Sequence, residues 1–185
     1  MESSKHTRWI ALLRAINVGG HTVKMERLRT LFVDLGFANI ATFIASGNVI
    51  FEAAASDAQT LERRIEQHLQ HSLGYAVATF LRTPAELAAV AQHQPFAPAD
   101  LADETNALYV AFLPAPPTAA AHAALLAYRS AVDDFHVHGR EVYWLCRTKI
   151  SDSAFSGARL EKAIGMPATM RNITTVRKLA AKYAD

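Results

Sequence analysis

The sequence is poor in several features that mark particular protein classes. It has a single cysteine, Cys146, so no disulfide can form within the chain. No apolar run approaches the roughly 20 residues that cross a bilayer, and we therefore expect no membrane association. The net charge is only +2 and 51% of the residues are apolar, which excludes the disordered class. The remaining class is that of globular proteins, and 185 residues are enough to form a sizeable core.

Signals for export are also missing from the sequence. Residues 1–16 begin with polar side chains, and Arg14 interrupts their apolar run before any cleavage site of small residues. A secretory signal peptide is therefore not expected. Cys146 lies in the strand-like run VYWLC, which favours a buried, inert thiol. We expect a cytoplasmic protein.

Apolar spacing predicts alternating strands and helices in the first half of the chain. Residues 8–14 form a short apolar run that is typical of a buried strand. A helical stripe follows from Met25 and ends at Gly36, and two apolar runs then flank a hairpin turn at 46–48. A capping box at Ser56 predicts the start of a second helix, after which a strand and a shorter helix follow.

The same order of elements repeats after the loop HQPFAPADLADETN. The second copy is predicted to contain a strand at 108–113, a helix over 118–132, a hairpin turning at Gly139 and a helix over 156–164. A short strand and a helix over about 172–183 complete the second copy. The two copies share almost no residue identity, so the duplication is inferred from element order alone.

Two such copies predict an α+β fold made of two ferredoxin-like βαββαβ halves. We place the first subdomain at residues 1–93, a linker at 94–106 and the second subdomain at 107–185. Both faces of the predicted strands are apolar, so both are expected to be covered. An RNA-binding sheet of this topology exposes aromatic side chains on an open face, and its basic, glycine and aromatic signature is not present.

Charge is distributed unevenly along the chain. Residues 1–30 carry six basic and two acidic side chains, residues 31–146 carry five and twelve, and residues 147–185 carry eight and three. If the fold brings the two ends together, they form a basic surface that attracts anions, including a nucleic-acid backbone. Solvated helix faces are the alternative explanation.

Three polar clusters interrupt the apolar pattern. They are RAINVGG with Lys24 at residues 14–24, SGNVIF at 46–51 and TMRNITTVRKL at 169–179. In this order they resemble the motifs of an uncharacterised, mainly bacterial family, Domain of Unknown Function 1697. Its forms are similar to R-G-I-N-V-G-G, a K-M pair opening the first helix, S-G-N-V-hydrophobic-F and T-x-R-N-W-x-T-V.

The resemblance covers nearly the whole chain and has two departures. Ala15 replaces the common glycine, and Ile173 replaces the common tryptophan. Membership would imply an α+β body of two ferredoxin-like parts, and it brings no established activity.

The clusters predict an anion-binding site. Gly19 and Gly20 after a strand would let successive amides converge on an anion, and Arg14 and Lys24 would supply positive charge. Arg171 lies where the dipole of the last helix is already positive, which an anion would relieve. We predict that residues 14–20 and the helix start at 171–175 form one pocket. The candidate ligand-binding residues are Arg14, Asn17, Gly19, Gly20, Lys24, Ser46, Asn48, Arg171, Asn172 and Thr175.

Each cluster also has a purely structural explanation. The paired glycines would permit a tight turn, Asn17 would bond to nearby backbone, and Arg14 would pair with a carboxylate. Residues 46–48 are nearly sufficient as turn chemistry, and Asn172 is a good helix N-cap.

Three classes of function stay open on the sequence. The first is a protein that binds a nucleotide, a sugar phosphate or a nucleic-acid backbone. The second is an enzyme that uses the same pocket for phosphoryl or acyl chemistry, and the third is a structural or assembly protein. The glycine spacing matches neither G-x-G-x-x-G nor a P-loop, so no cofactor is expected. His68 with His71, and His136 with His138, each lack a third ligand nearby in sequence, so no metal is expected.

Overall fold

The computed structural model describes residues 6–184. They fall into two compact units, one of residues up to 87 together with 183 and 184, and one of residues 88–182. Residues 1–5 and 185, which the predicted domain bounds include, lie outside the described residues. The proposed division at 93 and 106 stays a prediction.

The described residues of the first unit form four strands and two complete helices. In chain order these are β1 (His6–Leu13), α1 (Met25–Asp34), β2 (Ala38–Thr42), β3 (Asn48–Ala54), α2 (Ala58–Leu73) and β4 (Thr79–Arg82). The following helix, α3 (Pro84–Gln92), contains the boundary between the units.

The second unit repeats this order after a short extra helix that the sequence analysis treats as linker. Its elements are α4 (Pro98–Ala102), β5 (Ala107–Phe112), α5 (Ala119–Leu126), β6 (Asp133–His138), β7 (Glu141–Cys146), a 3₁₀ turn (Ile150–Asp152), α6 (Gly157–Ile164), β8 (Thr169–Asn172) and α7 (Ile173–Tyr183).

Both sheets are antiparallel and have the same strand order. The order is β2-β3-β1-β4 in the first unit and β6-β7-β5-β8 in the second. This is the ferredoxin-like arrangement, in which the first strand of each half is central and its last strand is an edge. The predicted α+β fold of two ferredoxin-like halves is confirmed.

Strand register relates the two halves residue by residue. Arg82 in β4 lies opposite Ile10, and Arg171 in β8 lies opposite Val110. Both arginines are buried, with 1% and 7% of their surface exposed. Each half therefore places an arginine at the equivalent position of its own sheet, although the halves share almost no residue identity.

Apolar side chains cover both faces of each sheet. One face of each sheet packs against the helices of its own unit. In the first unit this core includes Trp9, Ala11, Leu13, Leu28, Phe32, Leu61 and Ile65, and in the second unit it includes Ala111, Leu113, Leu125, Trp144 and Leu160. The alternate residues on the other face are also buried, among them Ile10, Leu12, Val110 and Phe112. As the apolar strands predicted, the central strands β1 and β5 are buried on both faces, whereas the edge strand β6 ends at the exposed His138.

Two helix ends differ from the sequence prediction. Helix α2 is capped by Asp57, whose carboxylate accepts the Thr60 amide at 2.9 Å, and not by Ser56. Helix α5 ends at Leu126, six residues early, because Ser130 accepts amide hydrogen bonds and turns the chain into β6. Among residues 6–184, no helix combines the length and the apolar character needed to cross a bilayer.

Candidate functional site

Residues 14–24 form an exposed loop between β1 and α1, which we call the glycine loop. Its tip is a tight turn in which the His21 amide donates to the Val18 carbonyl at 3.1 Å. The two central residues, Gly19 and Gly20, have φ angles of 61° and 85°. Type I′ turns require positive φ at both positions, and glycine adopts it without strain. The turn alone therefore explains why the glycines are paired.

Asn17 fixes the shape of the glycine loop. Its Oδ1 accepts the Val23 amide at 2.7 Å, which closes the loop, and its Nδ2 donates to the Ala45 carbonyl at 2.8 Å. Asn17 and its neighbours Ala15 and Ile44 all have positive φ angles of 49–61°. Side chains disfavour this conformation, so it persists only where surrounding contacts hold it. The loop is consequently held in one strained shape.

The SGN motif is the turn on which the glycine loop rests. The buried Asn48 donates from Nδ2 to the Phe43 carbonyl and to the Ser46 hydroxyl, both at 3.0 Å. The Gly47 carbonyl accepts the Leu13 amide at 2.8 Å, which ties the turn to the end of β1. These contacts favour the structural explanation for Ser46 and Asn48.

The surface of the glycine loop includes hydrogen-bond donors and positive charges. Among residues 6–184, nothing accepts a hydrogen bond from the Gly19 or Gly20 amide, and the Lys24 ammonium has no partner. Arg14 is exposed where β1 ends. No acidic residue lies between 14 and 24. Amides and cations grouped in this way attract anions.

Arg171, from the third motif, is buried. Its guanidinium donates to the Thr169 hydroxyl at 2.9 Å and to the Met170 carbonyl at 2.8 Å. Burial lowers the pKa of Arg171 to about 10, because desolvation penalises the charged form. This environment gives a ligand little access to the side chain.

The start of α7 borders a pocket of about 240 Å³ within the second unit. Asn172 caps the helix as predicted, since its Oδ1 accepts the Thr174 amide at 2.8 Å. Thr175 lies half-buried in the first turn. The pocket is also lined by the acidic residues Asp100, Asp103 and Glu104 and by the basic residue Arg177. The acidic residues outnumber the basic one, which weakens the attraction of an anion to this helix start.

The predicted site residues therefore divide between the two units. The residues of the glycine loop and the SGN turn lie close together in the first unit, and Asn17 connects them. Residues 171–175 belong to the second unit. Their membership of one pocket with the glycine loop stays a prediction.

One arrangement was missed by the sequence analysis. His136 and His138 lie on the same face of β6, and His93, directly after α3, joins them. One ligand atom from each imidazole lies within 4.8 Å of the others. Burial, together with the neighbouring His138 and His136, lowers the pKa of His93. The pair on β6 is visible in the sequence, but only the fold brings the third histidine beside it.

The protein is thus of the α+β class, with two ferredoxin-like halves and a glycine loop that Asn17 holds in place. The family model described as "Protein of unknown function (DUF1697)" matches residues 6–143, and the chain belongs to that family. This confirms the family resemblance seen in the motifs.

The comparison of structures agrees with the fold. The chain is similar to the conserved bacterial protein SP0830 from Streptococcus pneumoniae, with a TM-score of 0.73 and 22% sequence identity. The match covers 96% of this chain and 98% of that one. No curated protein matches the chain by sequence.

Proposed function

We propose that the protein binds a phosphorylated or otherwise anionic ligand, such as a nucleotide, a sugar phosphate or a nucleic-acid backbone, at the glycine loop. The observation that carries this proposal is the set of donors on the loop. The Gly19 and Gly20 amides and the Lys24 ammonium have no protein acceptor among the described residues, and all three residues are exposed. An anion would supply the missing acceptor.

The rigidity of the loop supports the proposal. A mobile loop must be ordered when it binds, at a cost of about 0.5–1.5 kcal/mol for each immobilised side chain. Asn17 already holds the glycine loop through two hydrogen bonds, at 2.7 and 2.8 Å. These bonds hold the backbone of the loop between Asn17 and Val23 before a ligand arrives, which reduces the cost of ordering it on binding.

The third motif gives the proposal less support than the glycine loop does. Arg171 is buried, and Asp103 and Glu104 line the pocket beside Asn172. We therefore assign the ligand's first contacts to the glycine loop. Contacts from residues 171–175 are a separate prediction that the same experiments can test.

The proposal is tested by a thermal-shift screen with nucleotides, sugar phosphates and short oligonucleotides, at constant ionic strength. A ligand at 100 times its dissociation constant stabilises the folded state by about 2.7 kcal/mol. For a ligand that does so, Lys24→Ala should weaken binding by about 1–3 kcal/mol, because a charge-assisted hydrogen bond is lost.

Lys149 provides the matched control, since it is an exposed lysine in the second unit. Lys149→Ala should leave the affinity unchanged. Equal weakening by both variants would indicate non-specific attraction of charge and contradict the assignment to the loop. If an oligonucleotide is the ligand, log Kd should change with log salt by about 0.7 for each phosphate contact.

A further inference from the structure

We propose that His93, His136 and His138 form a zinc-binding site in the second unit, with one coordination position open to solvent. The three residues come from two separate places in the chain. His136 and His138 alternate along β6 and so share a face of the sheet, and His93 follows the last residue of α3. A ligand atom of each lies within 4.8 Å of the other two.

The imidazole nitrogens have no competing partner within the protein. Among residues 6–184, none of the three side chains makes a hydrogen bond or an ion pair. The Nε2 atom of His93 is buried and has no partner at all. A buried polar atom without a partner costs about 1–3 kcal/mol. A metal ion bound at this point would remove that cost.

The geometry requires only small movements to hold a metal. Zinc binds histidine nitrogen at about 2.0–2.1 Å, so tetrahedral ligands lie about 3.3 Å apart. Closing the cluster from 4.8 Å moves each nitrogen towards the centre by about 1 Å or less. The ring centroid of His93 lies 4.1 Å from that of His138, in a stacked arrangement, and 5.3 Å from that of His136. Binding therefore requires the stacked rings of His93 and His138 to turn until their nitrogens face a common point.

The chemistry of the donor set selects the metal. Three neutral imidazoles suit zinc and its transition-metal neighbours, whereas calcium and magnesium prefer oxygen ligands. The carboxylate of Asp134, whose negative charge favours the protonated form of His136, forms an ion pair with Arg129 at 2.7 Å. His138 is exposed, so solvent reaches the cluster from its side. Three histidines with a fourth position open to water are the arrangement of catalytic zinc sites.

The site is tested by metal titration of the full chain, purified without a histidine tag and stripped with a chelator. Isothermal titration calorimetry with zinc should give one equivalent bound. Titration with Co²⁺ should give the visible absorption of a tetrahedral complex. Metal-ligating histidines usually donate their second ring nitrogen to an acceptor that raises affinity about 10–100-fold. These histidines lack one among the described residues, so we expect a Kd in the micromolar range.

Variants decide whether the three histidines act together. His93→Ala and His138→Gln should each weaken zinc binding by more than about tenfold, because loss of a ligand costs at least as much as loss of an outer partner. His138 is exposed, so its replacement does not threaten folding. His71→Ala, at an exposed histidine of α2, is the control and should bind as the unmodified chain does.

Two results would overturn the proposal. The first is the absence of stoichiometric zinc binding by the unmodified chain. The second is an unchanged affinity for zinc in His93→Ala. This result would show that His93 is not a ligand and that zinc binds only adventitiously to the two histidines of β6. Neither result bears on the glycine loop, which lies in the other unit and has its own test.

Discussion

Gly47, in the SGN turn, packs against Ile16 of the glycine loop and Leu13 of β1. Its φ angle is 78°, and a Cβ added there would lie 2.9 Å from Cβ of Ile16 and 3.2 Å from Cβ of Leu13. Gly47→Ala therefore has two costs. The left-handed backbone costs about 1–2 kcal/mol for a residue with a side chain, and overpacking costs about 1–3 kcal/mol.

We expect Gly47→Ala to lower the free energy of unfolding by about 3 kcal/mol. For a chain of this size each kcal/mol lowers Tm by about 2–4 °C, so Tm should fall by about 6–12 °C in a calorimetric or circular-dichroism melt. The Ile16 and Leu13 carbons are close to the backbone and cannot rotate away, which is why relief of the clash requires movement of the loop itself.

Gly74 is the matched control. It caps α2 with a φ angle of 81°, but nothing lies within 4 Å of the position that a Cβ would take there. Gly74→Ala should therefore show the backbone cost of about 1–2 kcal/mol alone, with a fall in Tm of about 2–8 °C. Equal destabilisation by the two variants would show that the contact with Ile16 carries no energy, and the account of the SGN turn as a packed support would be wrong.

Two further predictions concern the core and the loop brace. Cys146 is buried and burial raises the pKa of its thiol, so an aromatic disulfide reagent should label it only after unfolding, and rapid labelling of the native chain would contradict its inert role. Asn17→Ala removes the hydrogen bonds to Val23 and Ala45, so it should lower stability by about 1–3 kcal/mol in urea unfolding and also weaken anion binding. Unchanged anion affinity in this variant would mean that the shape of the loop does not matter for the ligand.

Local patterns predicted most of the fold because the elements depend on nearby residues. The apolar run at 8–14 became β1, and Gly36 and Gly165 follow helices in left-handed conformations as expected. The errors have local causes too. Ser56 and Asp57 are adjacent and both are good caps, so the pattern could not choose between them. The end of α5 depends on the side chain of Ser130, which the apolar spacing does not report.

The candidate site was less predictable because its contacts join residues that are distant in sequence. The motif at 14–24 identified a polar loop, but the bond from Asn17 to Ala45 depends on the pairing of β1 with β3. In the same way, His93 reaches His138 only because α3 ends beside β6. Composition and residue spacing do not predict contacts between residues that are distant in the sequence.

Comparison of the two halves separates residues that support the sheet from residues that are specific to one unit. Arg171 was singled out by its motif, yet Arg82 occupies the same register position in the other sheet. Each is buried, and each donates from its guanidinium to the carbonyl of the preceding residue at 2.8 Å. The recurrence of this arginine in both halves favours a structural role in the edge strand, and a ligand contact from Arg171 stays a prediction.

The glycine loop has no such counterpart. The equivalent connection after β5 is the segment 114–118, PAPPT, which contains no basic residue and no glycine. The fold itself therefore does not require a cation or paired glycines between its first strand and first helix, because the second half forms the same connection without them. A ligand-binding role limited to the first unit would explain why its loop has Lys24 and paired glycines and the proline-rich segment does not. Residues 14–24 are therefore the place to test the function by mutation.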